Sequence, residues 1–399
     1  MIVMKLTNVA LVEGNYKTLE ELAKITNGLW NRAVYFEKLE KGRFAFYPEL
    51  CNKLKDDPLY RLLPSQTAQA VLQKLDGAIR AYIKLKKKDR RARMPGYHKP
   101  KTAWLVPYKA QQFKVEGDTL KLTLSTRYRK EKGAQWLTFK THGRKRDGKI
   151  KYLELYPRNG LWFASIVYEV EAPPQMKTTG EISVDPGIIN LAAIWNGENS
   201  EIYKGGAVSA ILRYREKENG HLQAILATHG EKTSRAKKEL NRKLTGQARH
   251  IIHALTKTLV EKAVKERKGI VVGDPTGILN KKRGRKANQK LHRWMYRLMI
   301  FQLNYKCKLA GVPFRTKPEW NTSRNCVVCH VAHKGGRVHR GLYRCKLYGQ
   351  YNADSGAAYN LNVSPSRRVG VVAALAQPAV VLWNGHSWVP RDETNPLNP

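Results

Sequence analysis

The sequence predicts an α/β layer joined to a small β-barrel, and two runs of elements carry that prediction. Between Trp104 and Glu171, short segments alternate apolar and polar residues ("TLKLTLS", "WLTFKTH", "KYLELYP", "WFASIVYEV"), with Gly, Asp and Lys turns between them. Such a meander suggests a small barrel. From Ile182 the order changes to strand, strand, helix, strand, helix, strand, which suits an α/β layer with carboxylates at its strand ends.

Taken in order, residues 1 to about 12 alternate through Ile2, Val3, Lys5, Leu6, Val9 and Leu11 and predict an opening strand. From Thr18 the spacing becomes helical, with Leu19, Leu22, Ile25, Leu29, Trp30 and Val34 recurring at three and four. A further helix starts near Ser65, carries Ala68, Ala70, Val71, Leu75 and Ile79, and ends in the basic run Lys84 to Arg93 before Pro95-Gly96. A helical insert at about 15–95 therefore interrupts the strands of a first unit, 1–175. "EAPPQMKTTG" reads as a linker.

The second unit, 176–363, opens with "ISVDPGIINLAAIW", a buried strand, a tight turn at Pro186-Gly187 and a second apolar strand. A helical tract from about Val208 to Lys268 sets Ile252, Leu255, Leu259 and Val264 against many Lys and Arg. "KGIVVGDPTGI" is a short buried strand bounded by Gly269 and the Gly273-Asp274-Pro275 turn. The amphipathic helix after it closes at Gly311 and leads into another strand. Residues 364–399, rich in proline, read as a C-terminal tail, within which "VVAALAQPAVVLW" can pack on the core.

Charge narrows the class. The 399 residues hold 73 Lys and Arg against 32 Asp and Glu, a net +41. An excess of that size strains a compact protein by self-repulsion unless a polyanion neutralises it, and nucleic acid is the obvious polyanion. Beside it, the run Lys84 to Arg93 reads as a phosphate-tracking stripe more than as a solvated linker. No long apolar run or signal peptide is evident, so the expectation is a cytoplasmic protein with no membrane partner. Of five cysteines, Cys51 and Cys307 sit in helix-like contexts as small hydrophobes; the other three cluster late in the chain.

Two acids stand out. Asp185 ends a buried strand, where a lone carboxylate is costly unless it binds metal or a donor, although it also reads as a turn-initiating Asp before Pro-Gly. Asp354 opens a helix, where it reads either as an N-cap or as a second metal ligand. Converging from separate elements, the pair can hold Mg²⁺ for phosphodiester hydrolysis. Tyr97, Trp104, Tyr108, Tyr128, Trp294 and Tyr296 stand near Lys or Arg, a combination suited to stacking bases, although many belong in the core.

The segments around Asp185, around Val272-Gly273-Asp274, and from Thr322-Ser323 through Cys326, Cys329 and Cys345 to Asp354 and Asn360 resemble the RuvC-like nuclease and zinc ribbon of the transposon-encoded TnpB family. The helix with Asn288-Gln289-Lys290, Trp294, Tyr305-Lys306 and Ala310-Gly311 is similar to that family's middle stretch. The resemblance implies an RNase H-like RuvC domain with a ribbon inserted at about 320–350, behind a wedge-like N-terminal barrel with a helical recognition insert. It implies an RNA-guided DNA endonuclease, monomeric with a guide RNA, that cuts target double-stranded DNA beside a short adjacent motif. Asp185 and Asp354 would be catalytic Mg²⁺ ligands, and Cys326, Cys329 and Cys345 would hold structural Zn²⁺. A prokaryotic, nucleoid-associated location follows. A nuclease-deficient RNA-guided repressor and a miniature type V CRISPR effector are the alternatives.

Three departures matter. Gly273 stands where the family places a catalytic Glu, and Asp274 beside it points to the opposite face of a strand. Glu319, just before Thr322-Ser323, is the candidate replacement. Tyr348 stands where the ribbon's fourth Cys belongs. His330, His333 and His339 offer nitrogen ligands, but His333 and His339 flank the predicted tip Lys334-Gly335-Gly336 and are expected to lie far from the knuckles, while His330 adjoins Cys329. Finally, Gly356 replaces the family's usual Asn in a first helical turn, where glycine is unfavourable.

Overall fold

In the computed structural model the chain divides into two units, 1–171 and 172–399. The structure describes residues 2–39, 44–143, 147–276, 284–362 and 371–391.

The first unit starts with β1 (Ile2–Glu13), then four helices: α1 (Lys17–Leu39), α2 (Tyr47–Leu54), α3 (Pro58–Leu62) and α4 (Ser65–Lys86). They bury the residues that the helical spacing marked, among them Leu19, Leu22, Leu29, Val71, Leu75 and Ile79. The strands β2 (Val106–Lys109), β3 (Phe113–Glu116), β4 (Thr119–Thr123), the short helix α5 (Thr126–Lys132), β5 (Trp136–His142), β6 (Lys149–Arg158) and β7 (Leu161–Ala172) follow. Between β6 and β7, Asn159-Gly160 forms a two-residue turn with positive φ at both positions, the geometry that suits the twist of a hairpin. The segment that follows the basic run, residues 96–102, is fastened back onto α1. Asn27 donates to the carbonyls of Lys99 and Thr102 (2.9 and 2.8 Å), Asn31 pairs with the His98 backbone, and Trp30 donates to Gly96.

This sheet is not the expected closed barrel. Its order is β2-β6-β7-β1-β5-β4-β3, with two free edges. The edge strands β2 and β3 are consecutive in the chain, joined by the 3₁₀ turn Ala110–Gln112, yet they form no ladder with each other. Gln112 accepts a bond from Thr67, and Gln66 donates to Gln111, so the turn's polar groups are spent on α4.

The second unit holds β8 (Glu181–Pro186), β9 (Asn190–Trp195), β10 (Ser200–Lys204), α6 (Gly206–Thr228), α7 (Arg235–Lys265), β11 (Gly269–Asp274), α8 (Arg285–Arg293), α9 (Tyr296–Ala310) and β12 (Phe314–Pro318). Then come β13 (Arg337–His339), β14 (Leu342–Cys345), β15 (Gly349–Asn352), α10 (Ala353–Asn362), α11 (Val371–Ala376), β16 (Ala379–Trp383) and β17 (Trp388–Pro390). The main sheet runs β12-β11-β8-β9-β10-β16-β17, and β13 to β15 form a separate three-stranded sheet. The segment read as a tail thus supplies α11 and two strands; β16 pairs parallel with β10, and its apolar Val381 joins the core. Residues 364–370 and 392–399 lie outside the described residues.

Alternation along the strands sorts the faces. Ile182, Val184, Ile270 and Val272 join the core under α6, α7 and α9. Ser183, Asp185 and Gly273 therefore face the other side, where α10 packs across β8, β9 and β11. Among the described residues no helix is long and apolar enough to cross a membrane.

Candidate active site

The parallel strands β8, β11 and β12 end together, and their carboxyl ends supply the acids. Val272 of β11 is paired with Val184 of β8, so one step further along, Gly273 falls beside Asp185 on the same face. On its other flank, Gly273 pairs with Lys317, two residues before Glu319. A Cβ placed on Gly273 would stand 2.7 Å from Glu319 Cγ and 2.9 Å from its carboxyl carbon. Glu319 therefore occupies the space into which a side chain at 273 would project.

Burial is the first cause that pushes the Glu319 carboxyl up to about 7, with the charge of Asp274 as the second. Its Oε1 is buried with no hydrogen-bond partner. Asp185 is raised well above the usual carboxylate range, first by burial, then by the charges of Glu319 and Asp354, against which Arg337 acts. Asp274 is turned to its own turn: Oδ1 accepts from Thr276 N at 3.1 Å and from the Thr276 hydroxyl at 2.5 Å.

Asp354 is not the cap of α10. Asn352 is, its Oδ1 accepting from the backbone N–H of Asp354 (3.0 Å) and Ser355 (3.2 Å). That leaves the Asp354 carboxylate available in the first turn. Its Oδ2 accepts from Asn190 Nδ2 at 2.7 Å, and Arg337 Nη2 stands 3.7 Å from its Oδ1. Asn190 and Arg337 escaped the sequence reading. Neither lies in a spacing that marks chemistry; Asn190 becomes visible only once the β8–β9 turn brings it to Asp354, and Arg337 only once β13 does.

The late cysteines converge as well. Cys326, Cys329, Cys345 and His333 offer ligand atoms that all lie within 4.8 Å of one another. Cys329 Sγ and Cys345 Sγ are 3.6 Å apart, and Cys345 Sγ is 3.7 Å from His333 Nε2. Around a tetrahedral ion with Zn–S near 2.3 Å, ligand atoms stand roughly 3.5–3.8 Å apart, so a Cys₃His set fits here. The expectation that His333 lies far from the knuckles is corrected. Gly336 N donates to the His333 carbonyl, Gly335 takes φ +72°, and the loop folds His333 back against Tyr343 instead of extending it into a hairpin tip. The spacing Cys329-x-x-x-His333 was the available signal. His339 lies on exposed β13, where its Nδ1 accepts from Gly341 N; His330 carries the positive φ of the first knuckle. Burial opposes ionisation of Cys345, but the backbone N–H groups of Leu347 and Tyr348 together with the Cys329 and Cys326 thiols outweigh it and hold the thiol below its ordinary value. Tyr348 thus serves the knuckle through its backbone although its side chain is not a ligand.

Gly356 also has a structural reason. A Cβ there would lie 2.6 Å from Tyr351 Cε2 and 3.2 Å from Val327 Cγ1. Only glycine lets α10 close against the ribbon.

Of the aromatic residues picked from the sequence, Tyr108, Tyr128 and Tyr296 are buried, and Trp294 and Trp104 are half-buried in ring clusters. Tyr97 is exposed beneath the Lys38 ammonium, 4.1 Å from its ring centre.

The fold and acid set define an α/β protein with carboxylates gathered at the ends of parallel strands and a Cys₃His ribbon packed on the helix that bears one of them. Residues 165–279 match the OrfB_IS605 family, described as a probable transposase, and residues 296–361 match the Cas12f1-like TNB domain. A relative from Streptomyces pristinaespiralis described as a putative RNA-guided DNA endonuclease is 23% identical over 226 residues, 56% of this chain. The chain spans about half of that relative's length, 52%. A cryo-EM structure of a Cas12f1–sgRNA–target DNA complex has the same fold, with a TM-score of 0.57 and 14% identity over 86% of this chain and 82% of that one. Together these matches support similarity to TnpB-like proteins over residues 165–361.

Proposed function

We propose that the chain is an RNA-guided DNA endonuclease whose cleavage site is built from Asp185, Asp354 and Glu319. The observation that carries the reading is the refilled place above Gly273, since a position that has lost its family acid has a carboxylate delivered to it from the neighbouring strand end. A decayed site has no reason to keep an unpartnered buried carboxylate oxygen beside two further acids in a chain of net charge +41. That weighs against the nuclease-deficient repressor.

The same acids fit Mg²⁺. Asp185 and Glu319, both raised first by burial and then by neighbouring acids, and Glu319 Oε1 without a donor, offer the hard oxygen set such an ion prefers. Bound there, Mg²⁺ would supply a nucleophilic water at neutral pH and stabilise the leaving oxygen. The protein's own part is orientation. Asn190 fixes Oδ2 of Asp354 and leaves Oδ1 toward Arg337, whose guanidinium is itself held by the carbonyls of Ser323 and Arg340. Glu319, held up to about 7 first by burial and then by the Asp274 charge, would bind the ion in its ionised form. Cys326, Cys329, His333 and Cys345 would hold structural Zn²⁺, fixing β13 and with it Arg337.

In this reading the N-terminal unit grips guide RNA and reads the adjacent motif. Guide pairing carries sequence choice, which suits a protein whose excess charge grips backbone. A flanking transposon end or a repeat array in the genome separates this reading from a miniature type V CRISPR effector. The test is plasmid cleavage with Mg²⁺ by the purified ribonucleoprotein. Intact protein should cut, and Asp185→Ala should bind target without cutting. Target binding without cleavage by the intact protein would refute the nuclease.

A further inference from the structure

Trp320 follows Glu319 directly and is 85% exposed. The chain has nine tryptophans, and the other eight are all buried or half-buried. Leaving an indole in water forgoes the burial of one of the largest apolar side chains, which a fold accepts where the ring serves a partner. Among the described residues no aromatic ring or cation packs on it.

Its backbone is nevertheless held firmly. Thr322 donates to the Glu319 carbonyl (3.4 Å), and Asn321 turns the chain at φ +57° and accepts from Arg324 N and Asn325 N. Asn360, on the helix that bears Asp354, donates to the carbonyls of Thr322 (2.8 Å) and Asn325 (2.9 Å), and Arg337 donates to Ser323. The ring is thus free while its mount is tied to two elements of the acid site. Lys317 and Arg324 lie three and four residues away in the chain; the Lys317 ammonium donates to the Leu361 carbonyl (2.7 Å), and Arg324 is exposed. A firmly mounted, exposed indole in a chain of net charge +41 is an arrangement that can stack an unpaired base.

We propose that Trp320 is a base-stacking platform that binds an unpaired nucleobase of single-stranded DNA beside the scissile phosphate. The inference rests on the nuclease reading for its setting, since Glu319 and Trp320 are consecutive and one faces the acids while the other faces solvent. A carboxylate site set into the end of a sheet needs its strand held in register, and one stacked base does so without reading sequence.

The test uses the full-length chain, Ca²⁺ in place of Mg²⁺, and a single-stranded DNA of about 12 nucleotides carrying 2-aminopurine. Intact protein should quench the probe by stacking. Trp320→Ala should abolish the quenching and weaken binding by about 5- to 150-fold, and Trp320→Phe should retain most of both. In cleavage assays with Mg²⁺, Trp320→Ala should raise KM more than it lowers kcat. Equal quenching by Trp320→Ala, or quenching of an RNA probe alone, would overturn the platform even if cleavage stands. Absence of cleavage by the intact protein removes the nuclease reading, while loss of quenching in Trp320→Ala still supports the platform.

Discussion

Glu319 lies where a side chain on Gly273 would lie, with its Cγ 2.7 Å from the ideal Cβ position. The two residues belong to adjacent parallel strands, and the register that pairs Gly273 with Lys317 brings the end of β12 level with the end of β11. One position supplies the room and the other the acid. Glu319→Gln should lower kcat of DNA cleavage by about 10²-fold or more, as expected when a ligand worth several kcal/mol of charge stabilisation is lost. Gly273→Ala should be harmful alone and tolerated structurally in Glu319→Ala, because the added methyl meets the Glu319 side chain. Thermal unfolding of the two single variants and the double variant measures this coupling; additive effects would contradict the shared space.

Two carboxyls raised by the fold make stability depend on pH. The unfolded Glu319 titrates near 4.5 and the folded one near 7, so between these values the folded state binds more protons. The Glu319 contribution to stability is therefore full below 4.5 and is lost as pH rises through 7. Asp185, also raised, adds to the same trend. The loss attributable to Glu319 is of order 3 kcal/mol by pH 8. Unfolding midpoints of metal-free protein in chelator should fall across this range and recover on addition of Mg²⁺ at pH 8. Glu319→Gln should flatten the profile, and an unchanged profile in that variant would sink the assignment.

The Cys₃His set predicts one zinc per chain by elemental analysis. His333→Ala and Cys345→Ser should lose it, whereas His339→Ala should keep it, since His339 lies on exposed β13 and is not among the four clustered ligands. Loss of the ion should release β13 and with it the Arg337–Asp354 approach of 3.7 Å, so cleavage should fall although no acid is altered.

What the sequence disclosed was set by local rules. Asp185 was legible because a carboxylate ending an apolar strand is anomalous by itself, and the late cysteines because their spacing is chemical. His333 was misjudged because loop direction depends on Gly335 and Gly336, whose turn depends in turn on packing against Tyr343. The closed barrel failed for a similar reason, since alternation specifies strands and not whether the two edges pair. Arg337 and Asn190 reach Asp354 only through tertiary approach, with 17 and 164 residues of separation respectively, so no window of sequence carried them. Glu319 stands out in the sequence only by its place just before Thr322-Ser323 and the ribbon; its approach to Gly273 depends on the β11–β12 register.

Asn190 tests how far orientation matters apart from charge. Its amide donates to Asp354 Oδ2 at 2.7 Å while its own Oδ1 is buried without a partner. Asn190→Ala removes the donor that fixes the carboxylate but changes no ionisable group. Outer partners of ligating carboxylates are typically worth 10- to 100-fold in metal affinity or activity, so the Mg²⁺ concentration for half-maximal cleavage should rise about 10- to 100-fold. Asn190→Asp places a second negative charge against Asp354 and should weaken the metal-free fold at pH 8, with Mg²⁺ restoring it in part. Asn352→Ala provides the contrast: it deletes the cap of α10 at a cost of about 1 kcal/mol in unfolding and should leave the Mg²⁺ requirement unchanged. Equal Mg²⁺ titrations for Asn190→Ala and intact protein would show that the Asn190–Asp354 bond serves folding alone.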